Sequence, residues 1–274
     1  MAAVAPVAPV APVAPVAPGL VEVVRAAPVT PHLRRLTLAG PPLAGVAALG
    51  GDAFFRLFLP RCGQPAPVLP TDPDAWWPEM CAMPGRLRPV LRNYTVRCAR
   101  PGRGEVDVDV VVHGGSGPGT CWAQSARRGD RVGLLLQARD HAPPAGVGWQ
   151  LLVGDETALP AVAAVLEAGS DLPVHAVVEV PDAADAAAVA AAPAAAVGGS
   201  LTVAVRAAGE PPGAALLPAL RALALPGGRG YAWVAGEGAV VRAVRRHLRR
   251  ERGLAHGDLY TCGYWRLGAP QYDD

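Results

Sequence analysis

The pattern of apolar and polar positions divides the chain into two halves with different periods. From about residue 20 to residue 139 the apolar runs are short and separated by proline and glycine clusters. Residues 20–25 and 33–38 alternate in part, 54–59 form an apolar run, and 105–112 alternate acid with valine over their first half. Short runs of period two, punctuated by turn residues, predict an antiparallel β-barrel. Residues 60–90, rich in proline and holding Trp76 and Trp77, read as a long loop excursion. After about Gly146 the pattern changes to strands alternating with helices. Strands are predicted at 149–153, 174–180, 201–206, 231–235 and 259–262. Helices are predicted from Ala158 toward Gly169 and over 238–252, with an alanine-rich segment after the second strand. That order implies right-handed βαβ units and a parallel sheet. Pro143, Pro144, Gly146 and Gly148 mark a linker, so units of 19–142 and 148–274 are expected. Residues 1–18 repeat a Val-Ala-Pro unit; proline at every third position favours polyproline II, and a disordered tail is expected.

A chain of 274 residues, 51% of them hydrophobic, can build two cores of ordinary size. Its apolar stretches break well before the ~20 residues of a membrane-spanning helix. The start has neither the basic residues nor the continuous apolar core of a signal peptide. A net charge of +2 does not argue for nucleic acid or membrane as a partner. All 25 basic residues are arginine, so any cationic contact falls to arginine and Schiff-base lysine chemistry is excluded. The five cysteines form no C-x-x-C pair, which speaks against iron–sulfur and zinc sites and for free thiols in a reducing cytoplasm. A cytoplasmic monomer is expected.

Two runs carry chemistry. In residues 92–97, Arg92 and Tyr94 share one face of a strand. That spacing lets an aromatic ring cover a flat cofactor ring while the guanidinium reaches a phosphate. Thr95 faces the other way, with a hydroxyl and an N–H that can approach a ring nitrogen at the strand end. Taken alone, R-x-Y-T also suits an exposed alternating strand. The second run, from His113 through Gly117 and Gly119 to Thr120, opens a short helical segment with Trp122. A glycine-rich turn feeding a helix presents free N–H groups and a positive dipole end to pyrophosphate; a plain Gly/Ser loop is the alternative. In the 238–252 helix, Val240, Val241, Val244 and Leu248 make a buried stripe. Its arginines (242, 245, 246, 249, 250 and 252) then lie on a solvated face or meet a nucleotide phosphate or anionic substrate.

R-x-Y-T-x-R at 92–97, V-D-x-x-x-H-G at 108–114 and G-P-G-T-x-W-A at 117–123 together resemble the FAD domain of the siderophore-interacting protein family. These are ferric-siderophore reductases of the ferredoxin-reductase-like superfamily. The resemblance continues at 154–161 (GDETALPA), 233–237 (WVAGE) and 263–268 (GYWRLG), in matching order over about residues 20–268. It implies an FAD-binding β-barrel joined to a nicotinamide-binding α/β domain. Arg92 would neutralise the FAD pyrophosphate, Tyr94 would stack on the isoalloxazine, and Thr95 would bond near flavin N5. His113 would lie beside the cofactor, with Gly117, Gly119, Thr120 and Trp122 around the phosphate. Gly154, Asp155, Glu156 and Thr157 would form a loop over NADPH or NADH, faced by Gly236 and Glu237, and the turn at 263–265 would close near the flavin. Arg56 and Arg266 would meet the anionic ferric siderophore.

The implied activity passes electrons from NAD(P)H, or from reduced ferredoxin, through FAD to ferric siderophore, with no acid–base residue or metal ligand required. A flavin reductase or diaphorase with an organic acceptor, and a non-enzymatic siderophore-binding protein, share the pattern. The chain departs from ferredoxin reductases in carrying Glu156 and Ala158 where they have further glycines, and Glu156 would repel an adjacent phosphate. It also lacks a Gly-Pro at 136–139 and the usual pocket lysines. Arg206, at the end of the third predicted α/β strand, is a candidate ligand for a 2′-phosphate.

Overall fold

The computed structural model describes residues 17–44, 46, 51–112, 117–137, 140–190 and 199–269. Most of the proline-spaced tail and His113 lie outside this set.

The first half folds as one curled antiparallel sheet in the order β4-β3-β7-β1-β2-β6-β5. Its strands are β1 (Gly19–Thr30), β2 (Leu33–Ala39), β3 (Phe54–Leu59), β4 (Val90–Thr95), β5 (Cys98–Arg100), β6 (Glu105–Val111) and β7 (Arg131–Leu136). The acid–valine alternation of β6 resolves into two faces. Val106, Val108 and Val110 are buried in the barrel core with Val23, Leu36, Leu38 and Phe55. Asp107 and Asp109 point the other way, where arginines neutralise them. Arg35 Nε and Nη2 donate to Asp109 at 2.7 Å each, and Arg100 donates to both Asp107 oxygens at 2.7 Å. Bidentate pairs of this kind are what let a carboxylate stay nearly buried. The two sheet edges, β4 and β5, are joined by two residues. Val96 N–H donates to the Ala53 carbonyl before β3 (2.8 Å), and Arg97 N–H to the Asp107 carbonyl on β6 (2.9 Å). The chain itself thus bridges the two edges of the curled sheet.

The 60–90 excursion contains a helical turn that the proline density concealed, α1 (Trp76–Ala82). Side chains fix its start: Asp72 Oδ1 accepts the Asp74 and Ala75 N–H groups, and Glu79 Oε2 accepts those of Thr71 and Asp72. Trp76 and Met80 then cover the outer faces of Phe58, Leu91 and Leu135. Helix α2 (Pro118–Ser125) packs on β6 and the barrel core through Ala123 and Trp122.

The second half is a parallel sheet in the order β10-β9-β8-β11-β12. Its elements run β8 (Trp149–Gly154), α3 (Leu159–Ala168), β9 (Val174–Val180), α4 (Ala183–Ala190), β10 (Ser200–Val205), α5 (Leu216–Ala222), β11 (Gly230–Glu237), α6 (Gly238–Arg250) and β12 (Leu259–Trp265). β8, β9 and β11 are buried along their whole lengths. α3 covers one face, with Val162 and Val165 against Leu152 and Val178; α5 and α6 cover the other, with Leu220, Val244 and Leu248 against Leu151 and Val177. The expected antiparallel barrel and parallel sheet are both present.

Polar contacts lock the two halves together. Asp52 accepts the N–H groups of Asp140 (3.1 Å) and His141 (2.9 Å) on one oxygen and Trp233 Nε1 (3.0 Å) on the other. Asp185 on α4 accepts from the Thr30 hydroxyl and lies 2.7 Å from His32 Nδ1, and Arg97 forks onto Glu167 at 2.6 and 2.7 Å. Among the described residues no helix is long and apolar enough to cross a membrane.

Candidate functional site

Arg92 and Tyr94 pair across the sheet with Leu57 and Phe55, whose side chains are in the barrel core, so both point inward as the period-two argument requires. The start of α2 descends onto them. A Cβ on Gly119 would stand 2.6 Å from Tyr94 Oη and 3.5 Å from Arg92 Cγ, so glycine is what lets helix and strand approach. Burial pushes the Tyr94 phenol up to about 12, against the pull of Arg92, and the ring stays neutral. Helix α2 opens on Gly117, whose lack of a side chain leaves the first turn without a side-chain cap, and on Pro118, which has no N–H. Thr120 Oγ1 donates to the Val111 carbonyl at 3.3 Å, so its hydroxyl anchors the helix to β6 and its backbone N–H faces the helix end. A helix N-terminus that no described side chain caps, beside an inward guanidinium and a neutral aromatic ring, matches the donor set of a phosphate-linked flat ring, and FAD fits these residues. The structure brings Arg92, Tyr94, Gly119 and Thr120 together. Trp122 packs against the barrel core, and Thr95 is buried at the end of β4.

The second cluster lies at the carboxyl ends of β8 and β11, where the strand order reverses and open α/β sheets place their ligands. Gly154 is packed so tightly that a Cβ would meet Ala158 Cβ at 2.4 Å and the Ala235 carbonyl at 2.8 Å. Asp155 turns inward. Its Oδ1 accepts the Thr157 N–H (2.9 Å) and hydroxyl (2.5 Å); its Oδ2 accepts the Glu237 N–H (2.7 Å) and Trp265 Nε1 (2.9 Å). Burial raises this carboxyl above its usual range while the donors hold it down. Gly236, at φ 143°, leaves room for it, since a Cβ there would lie 2.6 Å from Asp155 Oδ2. Glu237 caps α6, its Oε2 accepting the N–H groups of Ala239 (2.5 Å) and Val240 (2.9 Å).

Arg206 is not available to a phosphate. It donates to Glu179 Oε1 at 2.6 Å and to Glu156 Oε1 at 3.2 Å. Glu179 also accepts the N–H groups of Gly213, Ala215 and Leu216, each at 2.8 Å, and so ties the loop before α5 to β9. Sequence reasoning missed this network, although an acid near the end of the apolar run VHAVVEV was a visible signal. Glu156 keeps one buried oxygen without a partner, and burial together with neighbouring Asp155 raises its carboxyl.

Arg56 and Arg266 fall in different surroundings, and no described contact joins them. Arg56 lies on the outer barrel face opposite Asn93, its guanidinium 5.0 Å from the Trp76 ring. Arg266 lies just beyond β12, beside Leu267, whose N–H donates to Glu237 Oε1 at 3.3 Å.

A curled antiparallel sheet offering a candidate flavin cradle, followed by a parallel sheet with a crevice at its switch point, defines the ferredoxin-reductase-like fold. The chain belongs to the siderophore-interacting protein family. Residues 22–138 match the siderophore-interacting FAD-binding domain and residues 147–268 the siderophore-interacting protein domain. It is similar to the ferric vibriobactin reductase ViuB of Vibrio cholerae, 31% identical over 91% of this chain and 89% of that one. It is also similar to the NADPH-dependent ferric-chelate reductase of Escherichia coli, 28% identical over 84% and 86% of the two chains. The crystal structure of a siderophore utilization protein from T. fusca superposes with a TM-score of 0.78, at 33% identity, over 94% of this chain and 96% of that one.

Proposed function

We propose that this protein reduces ferric siderophores with electrons from NAD(P)H by way of FAD. The observation that carries the reading is the convergence of Arg92, Tyr94 and the start of α2 at Gly119, in a chain whose relatives include a ferric vibriobactin reductase and a ferric-chelate reductase. Arg92 supplies the charge opposite a pyrophosphate, the first-turn N–H groups of α2 supply its hydrogen bonds, and Tyr94 covers the ring. FAD, when bound, exchanges electrons in pairs with a hydride donor and singly with ferric iron. The switch-point crevice at Gly154 and Gly236 positions the nicotinamide nucleotide, and Asp155 holds the ends of β8, β11 and β12 in register for it. Arg56 on the outer barrel face offers a cation to an anionic ferric chelate, with Trp76 fixing its place. Reduction to the ferrous ion weakens binding by hard oxygen donors, and the iron leaves. This electron relay asks no proton of a side chain.

The test is spectral. Purified protein should be yellow, bleach anaerobically under NADPH or NADH, and recover its colour when ferric siderophore is added, with a ferrous chelator trapping the product. Protein that is colourless and takes up no added FAD would sink the reading and leave a siderophore-binding protein. Bleached protein reoxidised by quinones but not by ferric siderophores would point to a diaphorase.

A further inference from the structure

The face of the α/β domain at the start of α6 carries a groove of about 430 Å³ whose wall includes Pro211, Pro212, Leu217 and Leu267, with Arg242 and Arg266 among its polar side chains. We propose that this groove receives the adenosine half of the electron donor and that Arg242 and Arg266 bind a 2′-phosphate on it, which makes NADPH the preferred donor over NADH. The inference rests on the reading of a nicotinamide dinucleotide as reductant.

Three features of the groove support it. First, its wall is apolar and already in place: Leu217 and Val240 are packed against the core of the α/β unit, while Leu267, 63% exposed, leaves its side chain open to a ligand. Gly213 pins the proline loop against the helix, because at φ 88° a Cβ there would strike Val240 Cγ2 at 2.7 Å. The wall is therefore set before any ligand arrives. Second, Arg242 and Arg266 are exposed and form no ion pair among the described residues. Arg242 folds back over the first turn of its helix, with Nη1 near Gly238. Glu237 stands close by, but its oxygens accept from Ala239, Val240 and Leu267. Third, the usual anion sites of this face are closed. Glu237 caps the N-terminus of α6, and Arg206 is shared between Glu156 and Glu179. Among the described residues lining the groove the cations are Arg242 and Arg266; Glu237 also lines it and attracts Arg242, but its oxygens face the first turn of α6 and Leu267, and a phosphomonoester dianion is the group that two guanidinium forks hold well.

The experiment is a calorimetric titration of the full-length flavoprotein with adenosine 2′,5′-bisphosphate and with 5′-AMP. Wild type is expected to bind the bisphosphate about tenfold or more tightly than 5′-AMP. Arg242→Ala and Arg266→Ala should each lose roughly tenfold for the bisphosphate and little for 5′-AMP, while Arg242→Lys keeps part of the preference. Arg249→Ala, two turns further along the same exposed face, removes equal charge outside the groove and should leave both affinities within about twofold. Equal binding of the two nucleotides by wild type would overturn the inference. So would an unchanged bisphosphate affinity in Arg242→Ala/Arg266→Ala, or an equal loss in Arg249→Ala. Stopped-flow bleaching separates the two readings. If NADH and NADPH reduce the flavin equally well, the 2′-phosphate site falls and the donor reading stands. If neither does, while the bisphosphate titrations come out as expected, the groove stands as a nucleotide site and the donor reading falls.

Discussion

Asp155→Asn tests whether the 154–157 loop is built around an inward carboxylate or offers that carboxylate to a ligand. Each Asp155 oxygen accepts two donors. An amide must place its NH₂ group against one of those pairs. The Thr157 hydroxyl can rotate away and the Glu237 N–H and Trp265 indole cannot, so the amide nitrogen should take the Thr157 side. The Thr157 backbone N–H is then orphaned, at about 1–3 kcal/mol, and the two bonds on the other oxygen fall from charge-assisted to neutral strength, losing about another 1 kcal/mol each. Relief from burying a charge offsets part of this, since burial already pushes the Asp155 carboxyl upward. The net loss is roughly 2–4 kcal/mol, or about 5–15 °C in melting temperature for a unit of this size. Thermal unfolding followed by circular dichroism, with flavin absorbance reporting the barrel separately, measures it. A variant melting within about 1 °C of wild type but with a raised KM for the nucleotide would refute the reasoning and turn the carboxylate outward.

Two further perturbations address the barrel. Gly119→Ala drives a methyl group toward Tyr94 Oη and should cost about 1–3 kcal/mol as well as FAD occupancy; unchanged flavin content and stability would mean that α2 does not rest on Tyr94. Asp107 has a lowered pKa: burial alone would raise it, but hydrogen bonds from Arg100 and Thr37 outweigh that. A carboxyl depressed in the folded state contributes stability that is complete above its unfolded value near 3.9 and is lost as pH falls through the lower folded value. The gap in melting temperature between wild type and Arg100→Ala should therefore be widest at neutral pH and narrow below about pH 4; a gap independent of pH would assign the loss to packing instead.

What could be read from the chain depended on how far apart the cooperating residues lie. The strands of the barrel were legible because Val106, Val108 and Val110 alternate with Asp107 and Asp109 within one segment, and that alternation is the two faces of β6. Arg92 and Tyr94 were legible as a pair for the same reason. Helix α1 was not, because proline density outweighed Asp72, before the helix, and Glu79, within it, whose side chains together fix its start. The fate of Arg206 was beyond local reading: its partners lie 27 and 50 residues away, and the parallel registers of β10 on β9 and of β9 on β8 bring them together.

The arginine-only composition takes its physical meaning from the same distinction. Arg35, Arg97, Arg100, Arg206 and Arg229 are each within 4 Å of a carboxylate, so their charge is largely cancelled at a distance. On α6, Arg242, Arg245, Arg246, Arg249 and Arg250 are exposed, and the described ion pairs include none of them. A chain with a formal charge of only +2 therefore concentrates unpaired positive charge on one helix, whose first turn opens on the groove. That asymmetry raises the local concentration of anions near the groove at low ionic strength and fades as the Debye length shrinks below about 10 Å. Arg249 and Arg250 can thus speed the arrival of a phosphorylated nucleotide without touching it, whereas Arg242 and Arg266 decide how long it stays, and salt should separate the two effects.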